Sequence, residues 1–262
     1  MNILVSINHY YIRHFITLCK SLTKSNPNVS FDIYIFHQYL NDKDQEMIIK
    51  EIYFMHLHFI HIDDSFITDL PVYEKRYPVE IYFRLFAPMY LPNNIDRILY
   101  LDVDIVVINS IMELYHLDFH DALFIGTSHI GPIFNRINAI RLGVSKDYTY
   151  LNTGVLLMNL EELRKLPIKD HVFSFMSNIK HRLLLPDQDI LFSLYGNRVK
   201  KVDSIIYNFG DRERIFHNIF CFHKLKMEWI RSNVKIIHYY GRNKPWNRIY
   251  IGKLDVFYKE IK

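Results

Sequence analysis

The stretch ILYLDVDIVVI, residues 98–108, places two carboxylates inside a run that is otherwise apolar and rich in β-branched residues. Such a run predicts a strand that is buried on both faces of a sheet. Side chains at positions i and i+2 of a strand point to the same side, so Asp102 and Asp104 are expected to share one patch. Because two like charges are costly in an apolar setting, a positive group is expected beside them.

Two kinds of positive group fit this pair. A buried arginine, either Arg84 or Arg97, could form an ion pair with the carboxylates. Alternatively, a bound divalent cation would neutralise both and leave coordination positions open for a substrate oxygen. The cation is the favoured interpretation, since strand residues continue on both sides and no helix start accounts for the acids.

Two further Asp-x-Asp sequences have a structural explanation. Residues 42–44 (DKD) follow Asn41 at a predicted helix start, where carboxylates cap amides and interact favourably with the helix dipole. Residues 187–189 (DQD) follow Pro186 and open an apolar helix, so capping accounts for at least one of their acids. The pair in residues 98–108 is therefore the metal candidate.

Strands and helices alternate through the first part of the chain. The apolar patterns predict strands at 3–7, 31–37, 57–62 and 97–108, separated by helices at 9–23, from Asn41 onward and at 81–90. This order predicts an α/β fold with a mostly parallel, Rossmann-like central sheet flanked by helices. Ligands bind such sheets at the carboxyl ends of the strands, where the aspartate pair is expected.

The remainder of the chain has a looser pattern. Strands are predicted at 123–127, 153–158, 199–202 and 234–239, with helices near 161–166, 171–179 and 188–194. No flexible linker interrupts the chain. We therefore expect one domain, 1–262, in which a nucleotide-binding half (1–110) and a mixed second half (111–262) form the cleft.

Composition excludes several functional classes. The 32 Lys and Arg and 28 Asp and Glu are spread along the chain without the basic stripe of a nucleic-acid binder. Cys19 and Cys221 are too few for a disulfide framework or a cysteine zinc site. The first strand precedes no glycine-rich phosphate loop, which argues against a dinucleotide dehydrogenase or a P-loop enzyme. The N-terminus lacks a signal-peptide pattern and no apolar window reaches about 18 residues, which predicts a cytoplasmic protein.

The stretch KIIHYYGRNKPW, residues 235–246, supplies groups suited to a metal–phosphate site. His238 ends an apolar run, Gly241 allows close approach of the backbone to a ligand, and Lys244 brings a compact cation suited to phosphate. Two carboxylates and an imidazole favour Mn²⁺ over Mg²⁺, which prefers an all-oxygen shell and is kept as the alternative.

Four motifs together resemble the family 8 retaining glycosyltransferases. LYLDVDIVV, YLNTGVLLMNL, LPDQDILF and HYYGRNKPW occur in the family's order and spacing, and the resemblance covers about residues 1–250. It implies a GT-A fold, a UDP-galactose or UDP-glucose donor, Mn²⁺ dependence and transfer with retention of anomeric configuration. The family includes lipopolysaccharide galactosyl- and glucosyltransferases, so a glycan or lipopolysaccharide-type acceptor is implied.

The resemblance also implies roles for residues. Asp102, Asp104 and His238 resemble the metal ligands, and the donor-binding positions are Ser6, Asn8, Tyr11, Arg84, Val103, Asn152, Gly154, Asp187, Gln188, Gly241 and Lys244. Of these donor-binding positions, Ser6, Asn8 and Tyr11 resemble the residues that bind the uracil. Many relatives carry Asp where this chain has Asn8, whose amide oxygen can still accept a hydrogen bond from the uracil N3–H.

The remaining roles concern the sugar and the diphosphate. Arg84 resembles a donor-contacting arginine, and Asn152 and Gly154 resemble a sugar-pocket loop. Gly241 and Lys244 resemble phosphate-contacting positions. Asp187 and Gln188 resemble the catalytic residues that face the donor sugar.

Retention can arise from a covalent intermediate or from attack by the acceptor on the face that the leaving group vacates. Gln188 is a poor nucleophile at the expected position and Asp187 is better suited to sugar hydroxyls, which favours same-face attack. Two alternatives stay open: transfer to a protein such as an adhesin or the enzyme itself, and UDP-sugar binding without transfer. Only about 16 residues follow Trp246, where lipopolysaccharide-type relatives often carry a basic, aromatic tail, so at most peripheral contact with the inner face of the membrane is expected.

Overall fold

The computed structural model describes residues 1–63, 78–178 and 183–262. These residues form a seven-stranded sheet in the order β3-β2-β1-β4-β7-β6-β8 and a two-stranded sheet of β5 and β9. The strands are β1 (Asn2–Ser6), β2 (Asp32–His37), β3 (His56–His61), β4 (Arg97–Leu101), β5 (Ile105–Val107), β6 (Phe124–Thr127), β7 (Asn152–Asn159), β8 (Val199–Val202) and β9 (Ile236–His238).

Strands β3, β2, β1 and β4 run parallel, and β7 enters antiparallel between β4 and β6. Helices lie between the strands: α-helices at Ile12–Ser25, Asp42–Glu51, Ala87–Tyr90, Met112–Tyr115, Pro132–Leu142, Leu160–Leu163, Ile168–Asn178, Pro186–Tyr195, Ser204–Tyr207, Asp211–Phe220, Met227–Asn233 and Asp255–Lys259, and 3-10 helices at His9–Tyr11 and Val79–Phe86. The predicted α/β class with a mostly parallel central sheet is confirmed.

The inner strands of the large sheet are buried on both faces, whereas the edge strands β3 and β8 are partly exposed. In β1, Ile3 and Val5 pack into one core with helix Ile12–Ser25, whereas Leu4 packs into a second core with the 3-10 helix Val79–Phe86. Both sets of side chains are apolar, which explains the unbroken hydrophobic runs of the parallel strands. In the part of the chain that the structure describes, no helix combines the length and apolarity of a membrane span.

The prediction of one continuous strand at 97–108 is wrong. Strand β4 ends at Leu101, the chain turns through residues 102–104, and β5 pairs with β9 in the second sheet. The Asp102 amide still donates to the Gly154 carbonyl, but the Asp104 carbonyl accepts from the amide of Tyr239, the residue after β9. Because the turn contains no glycine or proline, apolar periodicity alone gave no sign of the break.

Other boundaries differ in smaller ways. The helix predicted at 81–90 is mostly a 3-10 helix. Several helices were not predicted, and the longest of them are Pro132–Leu142 and Asp211–Phe220. The helix predicted at 171–179 begins at Ile168, and residue 179 lies outside the described residues.

Candidate metal and donor site

Asp102, Asp104 and His238 converge where the two sheets meet. One ligand atom of each lies within 4.8 Å of the others. The Nε2 atom of His238 is 3.1 Å from Asp104 Oδ1 and 3.7 Å from Asp102 Oδ2. The break in the strand makes this possible, because it connects Asp102 to the large sheet and Asp104 to the strand that pairs with His238.

Asn208 fixes the orientation of the His238 ring. The Asn208 amide nitrogen donates to Thr127 Oγ1 and Asn152 Oδ1, both at 2.9 Å, and Asn152 Oδ1 also accepts from the Gly154 amide. The Asn208 oxygen therefore faces His238 Nδ1, 2.8 Å away, and must accept its proton. A neutral His238 consequently presents the unprotonated Nε2 to the two carboxylates, which is the arrangement of a metal-ligating imidazole.

Arg84 closes the other side of Asp102. Its Nη2 lies 3.0 Å from Asp102 Oδ1, which also accepts from the Tyr100 hydroxyl, and its Nη1 lies 3.5 Å from Asp187 Oδ2. Burial lowers the pKa of Arg84, but Asp102, Tyr100 and Asp187 outweigh it and raise the pKa above its ordinary value. Burial raises the pKa of Asp187, against the opposing influence of Arg84 and of the Thr153 hydroxyl.

The ion pair considered for the aspartates therefore exists with Arg84, but it occupies one oxygen of Asp102 only. Arg97 donates instead to the carbonyls of Tyr115 and Leu117. The Arg84 pair and the proposed cation are thus compatible, since Asp102 Oδ2 faces His238.

Lys244 lies on the Asp104 side of the cluster. Its ammonium group donates to Asp104 Oδ2 and, at 2.9 Å, to the Tyr239 carbonyl. Burial opposes ionisation of Asp104, but His238 and Lys244 outweigh it and hold the pKa of this carboxyl well below its usual range. The turn between His238 and Lys244 needs a glycine at position 241, because the backbone there has a φ of +81°.

The donor set fits a divalent cation. Two carboxylate oxygens and one imidazole nitrogen face one another, while the permanent cations Arg84 and Lys244 bind the outer carboxylate oxygens of Asp102 and Asp104. Gly154 keeps the space beside the ligands open, since a Cβ there would lie 2.3 Å from His238 Cε1 and 2.6 Å from Asp102 Oδ2. Two carboxylates and one imidazole suit Mn²⁺.

The sugar-pocket prediction needs a structural correction. Asn152 and Gly154 lie at the start of strand β7, not in a loop. Antiparallel pairing of β7 with β4 brings this end of the strand beside Asp102, so a strand edge takes the place of the predicted loop.

The predicted uracil-binding residues lie at and after the carboxyl end of β1. The Ser6 hydroxyl is buried without a hydrogen-bond partner among the described residues. Asn8 caps the following 3-10 helix by accepting from the Tyr10 amide, and its Nδ2 donates to Glu80. Tyr11 is half-buried.

The other predicted positions are divided between core and cleft. Val103 packs its side chain in the core, so only its backbone is available to a ligand. Asp187 is buried and accepts from the Thr153 hydroxyl at 2.6 Å, and Gln188 beside it is half-buried. Asp189 accepts from the Leu184 amide, in agreement with a structural role for one acid of this motif.

Sequence reasoning missed Asn208. It follows helix Ser204–Tyr207 with no motif around it, and backbone hydrogen bonds to the β9 segment, including the bridge between Phe209 and Ile237, bring it beside His238. No local pattern could have identified this contact.

Comparison with known proteins agrees with the geometry. Residues 2–250 match Glycosyl transferase family 8. A lipopolysaccharide 1,2-glucosyltransferase of Escherichia coli is 29% identical over 241 residues, covering 87% of this chain and 67% of that protein. A putative glycosyltransferase of Haemophilus influenzae is 25% identical over 254 residues, covering 95% and 73%.

A solved structure supports the same fold. The galactosyltransferase LgtC, in complex with donor and acceptor sugar analogs, has a TM-score of 0.85 to this chain at 22% identity, with coverage of 100% of this chain and 95% of LgtC. The predicted GT-A fold is thereby confirmed. With the family match spanning nearly the whole sequence, the chain belongs to glycosyl transferase family 8.

Proposed function

We propose that this protein is a metal-dependent, retaining hexosyltransferase that moves galactose or glucose from a UDP-sugar to a glycan or lipopolysaccharide-type acceptor. The observation that carries the proposal is the convergence of Asp102, Asp104 and His238 around one point, with His238 Nε2 turned toward both carboxylates. The lipopolysaccharide glucosyltransferases among its relatives support the acceptor class. We place the protein in the cytoplasm, with at most peripheral membrane contact.

Asp102, Asp104 and His238 would hold Mn²⁺, with Mg²⁺ as the alternative. When bound, the ion supplies Lewis-acid stabilisation of the charge that develops on the departing diphosphate. Arg84 holds the Asp102 carboxylate in place through its buried ion pair, so this ligand is oriented in advance. Asn208 orients His238 in the same way.

Lys244 and Gly241 are the proposed diphosphate contacts. The Lys244 ammonium is paired with Asp104, and a phosphate oxygen would share or replace that partner. The positive φ of Gly241 lets the backbone lie close to a ligand without a Cβ in the way.

The carboxyl end of β1 is the proposed nucleoside site. The buried Ser6 hydroxyl has no hydrogen-bond partner in the described part of the chain, and a ligand would satisfy it. Asn8 has a second lone pair on its amide oxygen beyond the one used by the Tyr10 amide, and this can accept from the uracil N3–H. Tyr11 would stack on the base.

The sugar lies, in this proposal, against Asn152, Asp187 and Gln188, with Val103 contributing its backbone. The acceptor hydroxyl oxygen forms a bond to the anomeric carbon on the face from which the sugar–phosphate bond breaks, and its proton passes to the departing phosphate oxygen. Thr153 and Arg84 hold Asp187 through its Oδ2 atom, which favours the binding of sugar hydroxyls over the nucleophile role for this residue. Gln188 would position the sugar.

A panel of UDP-sugars tests the proposal. The full chain is incubated with each UDP-hexose and Mn²⁺, and UDP release is scored alone and with simple β-galactosides and β-glucosides. We expect one hexose to be preferred, chelation of the metal to stop release, and the product to keep the donor's anomeric configuration. Undiminished release after chelation would contradict metal dependence, and UDP-sugar binding without release or transfer would indicate a binding protein.

A further inference from the structure

An exposed apolar stripe lies on helix Asp211–Phe220 and the turn after it. Its members are exposed by 44, 62, 64, 76 and 101%, and we call them the phenylalanine patch: Ile215, Phe216, Ile219, Phe220 and Phe222. The spacing i, i+1, i+4, i+5 puts the four helical members on one face, and the Phe216 and Phe220 rings stack with centroids 6.2 Å apart. Contiguous exposed apolar surface of this kind is typical of an interaction site.

Helix Asp211–Phe220 turns polar side chains toward the protein and apolar side chains toward solvent, which is the reverse of an ordinary surface helix. None of its residues is buried, and polar groups attach it to the protein. Asp211 accepts from the Tyr250 hydroxyl at 2.6 Å, and Glu213 accepts from the Tyr240 hydroxyl at 2.6 Å and from the Gly210 amide at 3.0 Å. Since the carboxylates point inward and the phenylalanines outward, the patch is not the outer edge of a core.

The segment around the patch is strongly basic. Residues 211–253 contain ten Lys and Arg but three Asp and Glu, whereas the rest of the chain contains 22 and 25. Arg214, Arg231 and Lys244 are paired with carboxylates. The charge available to an anionic partner is therefore carried by the other seven, of which exposed Arg212 and Lys224 lie on the patch helix and the turn after it. Ile249 and Ile251 are exposed on either side of Tyr250, whose hydroxyl donates to Asp211 at the start of this helix.

The patch is connected to the candidate site. Glu213 lies 3.6 Å from His129 Nδ1, and His129 Nε2 is 2.9 Å from the carbonyl of Asn208, the residue that orients His238. The first turn of the helix that carries the patch therefore borders the metal cluster.

We infer that the phenylalanine patch docks on an anionic lipid surface, with the phenyl rings in the interface and the surrounding Lys and Arg on the head groups. Apolar and aromatic side chains rimmed by basic ones are the features that bind such surfaces. This docking would bring the catalytic cleft to an acceptor embedded in the same surface. The docking itself stands on the patch, and its link to a lipid-borne acceptor rests on the proposed function.

Vesicle sedimentation tests the inference. The full chain is mixed with phosphatidylcholine vesicles, with or without phosphatidylglycerol, and the bound fraction is measured at low and high salt. We expect binding to the anionic vesicles, weakened by salt, and a fall in the partition coefficient of about tenfold or more in the double variant Phe220→Ser/Phe222→Ser. The matched control is Tyr53→Ser/Phe54→Ser, which removes two exposed rings from the other half of the chain and should bind like the wild type.

Equal binding by the patch variant and the wild type, or no binding to either vesicle, would overturn the inference. A concentration-dependent dimer that the patch variant loses, without vesicle binding, would assign the patch to a second copy of this chain and also overturn it. UDP-sugar hydrolysis without vesicles separates the two proposals: vesicle binding by a protein that hydrolyses no UDP-sugar would leave the docking intact and remove the proposed function.

Discussion

Two Asp-x-Asp motifs of this protein have the same spacing but different geometries. In residues 102–104 both carboxylates face one cluster with His238. In residues 187–189 the acids separate: Asp187 faces Arg84, whereas Asp189 accepts from Arg141, from the Tyr150 hydroxyl and from backbone amides. The acids of residues 102–104 form a potential metal site, whereas Asp189 of the second motif stabilises the core.

The secondary structure around each motif explains the difference. Residues 187–189 lie in the first turn of helix Pro186–Tyr195, where about 100° of rotation per residue sends side chains at i and i+2 to nearly opposite sides. Residues 102–104 form a turn between the two sheets. Asp102 lies directly after β4 of the large sheet, and Asp104 lies directly before β5 of the small sheet. The spacing of two acids therefore does not establish a metal site until the backbone that carries them is known.

The largest expected effect is that of Asp104→Asn. The change removes one charged ligand oxygen, so we expect metal-dependent turnover to fall about 10³-fold or more, while the protein stays folded. UDP release and Mn²⁺ titration by calorimetry measure the loss, with circular dichroism as the control for folding. Near-normal turnover in this variant would contradict the assignment of Asp104 as a metal ligand.

The corresponding change in the other motif, Asp189→Asn, should act on stability. Asp189 is fully buried and its partner Arg141 is partly exposed, so we expect a loss at the lower end of the range for broken buried pairs, about 3 kcal/mol. Urea unfolding measures the loss. Mn²⁺ affinity of the folded fraction should equal that of the wild type, and a weakened affinity would show that the two motifs are coupled.

A smaller effect is expected at Asn208. Leucine has a similar volume but cannot accept the His238 Nδ1 proton, so Asn208→Leu should weaken Mn²⁺ binding about 10- to 100-fold. The matched control is Asn26→Leu, another buried asparagine whose Nδ2 bonds the Leu22 carbonyl away from the cluster. If both variants lose stability but neither loses Mn²⁺ affinity, the orientation of His238 does not depend on Asn208.

The same contrast explains how much could be predicted from sequence. Strands β1, β2 and β4 were predictable because burial on both faces requires apolar runs such as IYIFH, residues 33–37. The aspartate pair was predicted from two acids inside an apolar run and His238 from the stretch KIIHYYGRNKPW, and the four linked motifs agreed with both. The turn at 102–104 was missed, because tertiary contacts rather than turn residues produce it.

Contacts between distant segments account for the rest. Arg84 was one of two arginines considered, and only the fold places it 3.0 Å from Asp102. Asn208 had no motif at all. Helix Asp211–Phe220 was missed although its periodicity is clear in retrospect, because its apolar residues follow no capping serine or threonine and face outward.

The third Asp-x-Asp, residues 42–44, extends the comparison to a surface helix and gives the smallest effect. Asn41 Oδ1 accepts from the Asp44 amide at 3.0 Å, and Asp44 Oδ2 accepts from the Asn41 amide at 3.3 Å, which forms a capping box. We expect Asn41→Ala to cost about 1 kcal/mol of stability in urea unfolding. Exposed Asp42 takes no part in the box, so Asp42→Ala should cost about 0.5 kcal/mol or less through the helix dipole. Equal losses would mean that charge rather than capping stabilises this helix start. Neither variant should change the Mn²⁺ affinity, because the backbone at residues 42–44 does not bring both acids to a third ligand. A changed affinity would contradict this explanation of the three motifs.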